Sequence, residues 1–236
     1  MAKGPSESTR GREEVGAAVI EPQRAEREVG VRTRQQAVVA ELGKRALEGR
    51  DLSTLLDEAV AVVAETLGVE YAKVLELLPD GKALLLRSGM GWKEGLVGQA
   101  RVSSGADSQA GYTLLSQHPV IVGDLRSEKR FSGPPLLREH GVVSGVSVII
   151  PGPRQPFGVL GAHTRRLRKF TKDDAHFMQA VANVLAAAIA GNQAEEAVAK
   201  TEQRQPAPAI VISQNVRATD ARRKVEDERI SRVRRE

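Results

Sequence analysis

The chain has 236 residues, of which 41% are hydrophobic and 28% charged, and it contains no cysteine. This length allows one sizeable domain with appendages, or two small domains, and the composition predicts that most of the chain folds. The lack of cysteine excludes disulfide scaffolds, cysteine-based zinc sites, thiolate nucleophiles and thioether-linked chromophores. The formal net charge is +5, and no single segment is basic enough to predict nucleic-acid binding.

Neither a membrane span nor a secretory signal is predicted. No window approaches the 18 consecutive apolar residues that a membrane-spanning helix needs. The first residues lack the apolar core and small-residue cleavage site of a signal peptide. We therefore expect a cytoplasmic protein without membrane contact.

Two helices are predicted between residues 21 and 67, after a disordered N-terminal segment. Residues 1–20 are rich in Gly, Ser and Glu and show no period, so we expect disorder there. Residues 21–50 carry apolar side chains three or four positions apart and predict an N-terminal helix for signalling or dimerisation. Asp51 is a suitable N-cap for a second helix with an apolar stripe from Leu52 to Leu67, and Gly68 is suited to end it.

The middle of the chain predicts β-structure. Two apolar runs, Tyr71–Leu78 and Ala83–Arg87, flank Pro79-Asp80-Gly81 and predict a hairpin. The strongest strand signal, Val142–Ile150, is followed by Phe157–His163 as its hairpin partner. Between the two hairpins, residues 88–141 are rich in loops and contain further short strands and a short helix.

A long helix is predicted after the second hairpin. Thr171 and Asp174 have the spacing of a capping box, with Asp in place of the preferred Glu or Gln. The element order predicts an α+β fold with a central five- to six-stranded, mostly antiparallel sheet. The N- and C-terminal helices would cover one face, and the loops and short helices of residues 88–141 the other. A ligand site is expected between the sheet and those loops.

Several short stretches, taken in order, resemble a GAF domain over residues 36–195. They are Gly111–Leu115, Pro119–Val122 with Asp124-Leu125, Arg130-Phe131, His140–Ser144, Val148–Pro151, Phe157–Gly161 and Phe170–Asp174. The resemblance implies a small-molecule sensor of bacterial signalling proteins, similar to GAF modules in histidine kinase or diguanylate cyclase architectures. It places the sensor domain at residues 51–191 and leaves residues 192–236 as a helical extension and charged tail.

The sequence departs from several branches of that family. No kinase or cyclase motif follows residue 200, so we expect either a stand-alone sensor or a part of a larger signalling architecture. Covalent bilin attachment and methionine sulfoxide reduction depend on cysteine in that family, and this chain has none. The Asn-Lys-Phe-Asp-Glu set of cyclic-nucleotide binders is also not found. The ligand and any cofactor stay unknown, although an aromatic content of 3% argues against a large planar chromophore.

Eight residues are candidates for ligand contact: Trp92, Tyr112, Leu115, Asp124, Phe131, Val146, Val148 and His163. Each also has a structural interpretation. Trp92 is either a lid over the pocket or a core anchor, Asp124 is favoured as a turn or cap residue, and His163 is a pocket group or a strand end. The run Arg165-Arg166-Leu167-Arg168-Lys169 is favoured as a solvated loop over a site for an anionic partner.

No catalytic or metal site is predicted. The four histidines share no i, i+3 or i, i+4 spacing, and no nucleophile–base pair is recognisable. We therefore expect a non-catalytic regulatory module that forms a homodimer and acts on a histidine kinase or another signalling partner.

Two functional hypotheses follow. In the first, ligand binding rearranges terminal helices that pair with a second copy through Val38, Leu42, Met178, Val181 and Leu185. In the second, the chain is an adaptor or transcription-associated regulator that binds a protein or nucleic acid through its charged tail, residues 201–236.

Overall fold

The structure is a computed structural model, and it describes residues 28–204. The predicted disordered segment 1–20 and nearly all of the charged tail lie outside these residues. The chain divides into two compact units, Met1–Ala194 and Glu195–Glu236. In the described part of the second unit, residues 195–204 are helical, and Lys200 forms an i, i+4 ion pair with Glu196.

A six-stranded antiparallel sheet forms the centre of the first unit. Its strands are β1 Tyr71–Leu77, β2 Ala83–Met90, β3 Arg101–Ser103, β4 Val120–Val122, β5 Ser144–Ile150 and β6 Gly158–Thr164. Their order across the sheet is β3-β2-β1-β6-β5-β4, and every neighbouring pair is antiparallel. The predicted α+β class and both predicted hairpins, β1–β2 and β5–β6, are confirmed.

Five helices accompany the sheet in the described residues. They are α1 at residues 28–47, α2 Leu52–Leu67, α3 Gln109–Ser116, α4 Pro135–Glu139 and α5 Lys172–Arg204. None of the helices described has the length and apolar character needed to cross a bilayer.

The predicted helix ends are confirmed. The carboxylate of Asp51 accepts a hydrogen bond from the Thr54 N–H, and Gly68 ends α2 in the left-handed conformation at φ 60°. Thr171 and Asp174 form the reciprocal capping box at the start of α5, with N···O distances of 2.9 and 3.1 Å.

The helix side of the sheet holds the larger core. Ala72 and Val74 of β1 pack there with apolar residues of α1, α2 and α5. The sequence analysis assigned five residues to a dimer contact, and the structure corrects that assignment. Leu42, Met178, Val181 and Leu185 are buried in this core, and Val38 packs against it. The four buried side chains are used within one chain and are not free to contact a second copy, whereas Val38 keeps part of its surface exposed.

The other face of the sheet is covered by α3, α4 and the loops between β2 and β5. A second core cluster there joins Leu75 of β1 and Leu84 and Leu86 of β2 with Ala110 of α3 and Leu136 of α4. We call this face the loop side. It is the face on which the sequence predicted a ligand site.

Candidate ligand site

Strand alternation places an unusual set of residues at the centre of the loop side. Ala72 and Val74 face the helix-side core, so Tyr71 and Lys73 of β1 point the other way. In the register of the sheet, Tyr71 is opposite His163 and Lys73 is opposite Gly161. His163 is in turn opposite Gly145 of β5. We call the five residues Tyr71, Lys73, Gly145, Gly161 and His163 the loop-side floor.

The ring of His163 lies flat on this floor because two of its neighbours are glycines. A Cβ atom at Gly161 would lie 2.8 Å from His163 Nε2, and one at Gly145 would overlap His163 Nδ1. The side chain is 1% exposed, and both ring nitrogens lack a hydrogen-bond partner among the described residues. Burial, helped by the nearby Lys73, holds the pKa of His163 well below its ordinary value, so the ring is neutral.

Lys73 is a buried amine beside this imidazole. It is 3% exposed, and its Nζ lies 5.1 Å from the centre of the Trp92 ring. In residues 28–204, no carboxylate forms an ion pair with it. Burial in this apolar setting lowers the pKa of Lys73 to about 7.

Three aromatic side chains enclose one end of the floor. The Trp92 ring lies 4.8 Å from Tyr71 and 5.0 Å from His140, centre to centre. The Trp92 indole N–H donates to the Ala72 carbonyl at 2.8 Å, and the Tyr71 hydroxyl donates to the His140 carbonyl. Trp92 thus anchors the loop after β2 and at the same time covers Lys73. It therefore combines features of both sequence-based interpretations, a core anchor and a lid.

His140 differs from His163 because both of its ring nitrogens are used. The Lys93 backbone N–H donates to His140 Nε2 at 3.1 Å, which makes that nitrogen an acceptor. His140 Nδ1 therefore carries the proton and donates to the Leu136 carbonyl at 2.8 Å. His140 is a structural link between α4 and the Trp92 loop, and His163 is the histidine with free hydrogen-bonding capacity.

A buried polar network borders the floor on β5. Gln109 Nε2 donates to Ser147 Oγ at 3.1 Å, and Ser147 Oγ lies 2.8 Å from Thr113 Oγ1. Thr113 in turn donates to the Gln109 carbonyl. These contacts fix α3 onto the sheet next to the floor.

Two of the eight predicted site residues, Trp92 and His163, meet at the floor, 6.1 Å apart between ring centres. Tyr112 and Phe131 pack together at 5.5 Å in a separate cluster with Val120 and Val122. The Arg130 guanidinium lies over both rings and pairs with Glu128, and this contact lowers the Glu128 pKa to about 2.

The other four predicted residues lie away from the floor. Asp124 accepts hydrogen bonds from the backbone and side chain of Arg126, which is the favoured turn role. Leu115 is 63% exposed. Val146 and Val148 lie in the helix-side core, because alternation along β5 gives the loop side to Gly145 and Ser147. The structure therefore removes both valines from the predicted loop-side pocket.

Sequence reasoning missed Lys73, Tyr71, His140 and the two glycines. A signal for Lys73 was present, since it is a lysine inside a predicted strand, directly between the apolar residues Ala72 and Val74. The glycines gave no signal, because their role depends on the pairing of β5 with β6.

The basic run after β6 is partly a helix-capping device. Arg168 donates to the Leu67 carbonyl and lies 4.6 Å from the Phe170 ring, and Arg166 donates to the Gly68 carbonyl at 3.2 Å. Positive charge at the C-terminus of α2 is favourable for its dipole. In residues 28–204, no group of three or more His, Asp or Glu side chains is placed to hold a metal ion.

Comparison with known proteins agrees with this architecture. The GAF domain family model matches residues 51–189. No curated protein matches the chain. The GAF domain of a phosphoenolpyruvate-protein phosphotransferase from Coxiella burnetii aligns with a TM-score of 0.64 and 18% identity, over 70% of this chain and 98% of that one.

Two further solved structures of similar fold carry small molecules. One is a free methionine-R-sulfoxide reductase from Neisseria meningitidis in complex with its substrate, with a TM-score of 0.58 and 20% identity over 68% of this chain and 91% of that one. The other is the phycoerythrobilin-bound GAF domain of a cyanobacterial phytochrome, with a TM-score of 0.56 and 21% identity over 70% of this chain and 98% of that one. The family match covers more than half of the sequence, and the chain belongs to the GAF domain family, the small-molecule-sensing modules of signalling proteins.

Proposed function

We propose that the chain is a non-catalytic regulatory module that binds a small molecule on the loop side of its sheet. The observation that carries this proposal is His163, whose two buried ring nitrogens lack a hydrogen-bond partner among the described residues, beside the buried Lys73 at the centre of that face. Buried polar groups are nearly always hydrogen-bonded, so a bound small molecule with hydrogen-bonding groups is a fitting partner for this site. A reductase substrate and a bilin are held by domains of the same fold in the two ligand-carrying neighbours.

Ligand binding would be transmitted through the strands to the terminal helices. Successive residues of β1 serve the two faces, with Lys73 on the loop side and Ala72 and Val74 in the core formed with α1, α2 and α5. A close-packed core of this kind responds to a displaced strand by shifting its helices as units. The output partner in this proposal is a histidine kinase or another signalling protein, in the cytoplasm.

The functional unit in this proposal is a homodimer that uses surfaces other than the predicted stripe. Val29 and Val31 of α1 are 64% and 53% exposed, so this helix retains apolar side chains on its outer surface. Size-exclusion chromatography with light scattering tests the dimer, with the double variant Val29→Glu and Val31→Glu expected to be monomeric. A wild-type chain that is strictly monomeric at micromolar concentration would contradict the dimer.

The lone tryptophan gives a direct test of the ligand face. Trp92 is the single tryptophan of the chain and covers the floor. The full chain is titrated with fractions of small molecules extracted from its own host, and both melting temperature and tryptophan emission are recorded. We expect one fraction to raise the melting temperature, because a ligand bound to the native state stabilises it, and to change the emission as well.

A groove away from the floor supplies the contrast for that test. A groove of about 390 Å³ lies between α1 and α5 and is lined by Arg32, Gln36, Asp173 and His176, among others. A ligand in this groove would raise the melting temperature without changing the Trp92 emission. That outcome, or no active fraction, would contradict a loop-side ligand.

A further inference from the structure

We propose that Lys73 and His163 form a seat for a small anion, so that the ligand carries a carboxylate or phosphate group. This inference rests on the proposed function and specifies the chemistry of its ligand. The geometry points to it because two nitrogen-bearing side chains meet beside Gly161. Among the described residues, the His163 nitrogens have no hydrogen-bond partner and Lys73 has no ion pair with a carboxylate.

The nearby acids are committed elsewhere. Asp57 accepts the Ser88 hydroxyl at 2.5 Å on the helix side, and Glu76 pairs with Arg87. Glu70 pairs with Arg166 through Oε1, while its buried Oε2 has no hydrogen-bond partner among the described residues. A buried ammonium is stabilised only when it is paired, and the oxygens of a bound anion would supply that pair. A cationic ligand would be repelled by Lys73, and a neutral one would leave its charge uncompensated.

The surroundings of the amine favour an anion of small size. Trp92 lies over Lys73, and the His163 ring occupies the space that side chains at positions 145 and 161 would take. The amine and the imidazole are neighbours across the paired strands β1 and β6, where Lys73 is opposite Gly161. One ligand oxygen can accept from the Lys73 ammonium and another from the single N–H of neutral His163.

Binding to this seat takes up a proton. The titratable groups around Lys73 are His163 from β6, Tyr71 from its own strand and His140 from the segment after α4, and none of these three is a carboxylate. A bound anion raises the pKa of Lys73 from its free value of about 7. Above that value, each further pH unit weakens binding about tenfold until the pKa of the complex is reached.

The probes for this seat are sodium acetate and inorganic phosphate, with sodium chloride matching the ionic strength. Each is titrated into the full chain while Trp92 emission is followed, at about one pH unit below and about two units above the Lys73 pKa. We expect saturation by at least one probe, with an apparent affinity at least tenfold higher at the lower pH. Acetate alone indicates a carboxylate ligand, and phosphate alone indicates a phosphate ester.

The matched variants are Lys73→Met and, as control, Lys82→Met at an exposed position. Lys73→Met should lose the saturable change, and Lys82→Met should retain it. His163→Phe keeps an aromatic ring and removes the N–H, and it should weaken binding at least threefold. This variant tests the seat independently if Lys73→Met fails to fold. No saturation by either probe, equal binding by Lys73→Met, or affinity independent of pH would overturn the anion seat.

The two proposals fail in different ways. A host fraction that changes Trp92 emission equally in wild type and Lys73→Met would contradict the anion seat and leave the loop-side ligand site standing. A chain whose Trp92 emission no fraction or probe changes would contradict both.

Discussion

His163 owes its position to residues that have no side chain. Two strands bring Gly145 and Gly161 to either side of its ring, and neither glycine has a positive φ. Their requirement is space for the imidazole rather than an unusual backbone conformation. Filling that space must displace the ring or separate the strands.

Gly145→Ala should therefore destabilise the protein by about 1–3 kcal/mol, the usual cost of overpacking a core. Because the clash is with His163, the double variant Gly145→Ala, His163→Ala should show a coupling of roughly 1 kcal/mol in its favour. Urea denaturation of the four chains in the cycle measures both quantities. Gly123→Ala, at a position with no atom within 4 Å, is the matched control. Equal effects at positions 145 and 123 would contradict this packing.

Lys73 makes stability depend on pH in a defined direction. Its pKa is about 7 in the folded chain, against an ordinary value of 10.5. Between these values the unfolded chain holds a proton that the folded chain lacks, so stability rises with pH at up to about 1.4 kcal/mol per unit from this group. Lys73→Met should abolish that part of the slope, as measured by denaturation between pH 7 and about pH 9. The same slope in wild type and variant would show that Lys73 titrates normally.

Helix α2 is held at its C-terminus by a segment far away in the sequence. Arg168 joins the Leu67 carbonyl to the Phe170 ring and lies 3.7 Å from the Asp174 carboxylate. Its side chain is thereby shared between the end of α2 and the start of α5. The basic run consequently has a structural task in the fold through Arg168, where the sequence analysis favoured only a solvated loop.

Arg168→Gln should lower the free energy of unfolding by about 1–2 kcal/mol, because it removes a charged hydrogen bond and a cation–π contact. Lys169→Gln, at the exposed neighbouring position, should change it by less than about 0.5 kcal/mol. Thermal or urea denaturation of the two variants distinguishes them. A larger loss from Lys169→Gln would contradict the capping role.

Elements whose signals are local were predictable from the sequence. The Asp51 cap, the Gly68 stop, the Thr171 capping box and the Pro79-Asp80-Gly81 turn each depend on a few consecutive residues. The partner against which an apolar helix face packs was not predictable in the same way. Met178 and Leu185 were assigned to a dimer surface because an apolar stripe alone does not say which partner it meets. The floor was missed for the same reason, since Lys73, Gly161 and His163 become neighbours only through the β1–β6 register.

At the scale of the whole molecule, the two faces of the sheet differ in character. Its helix side is a continuous apolar core with α1, α2 and α5, and its loop side holds His163, whose ring nitrogens lack partners among the described residues. Successive side chains along each strand point to opposite faces of the sheet, so every strand contributes to both sides. This arrangement supports a sensor in which the ligand and the responding helices act on opposite sides of the same strands.

The most direct test of that arrangement is native mass spectrometry of the full chain after incubation with the small-molecule extract of its host. We predict one additional small mass on the wild-type polypeptide, retained in Lys82→Met and lost in Lys73→Met, with all three chains folded by circular dichroism. A wild-type chain that carries the mass of the polypeptide alone would contradict the central claim that the loop side of the sheet holds a small molecule.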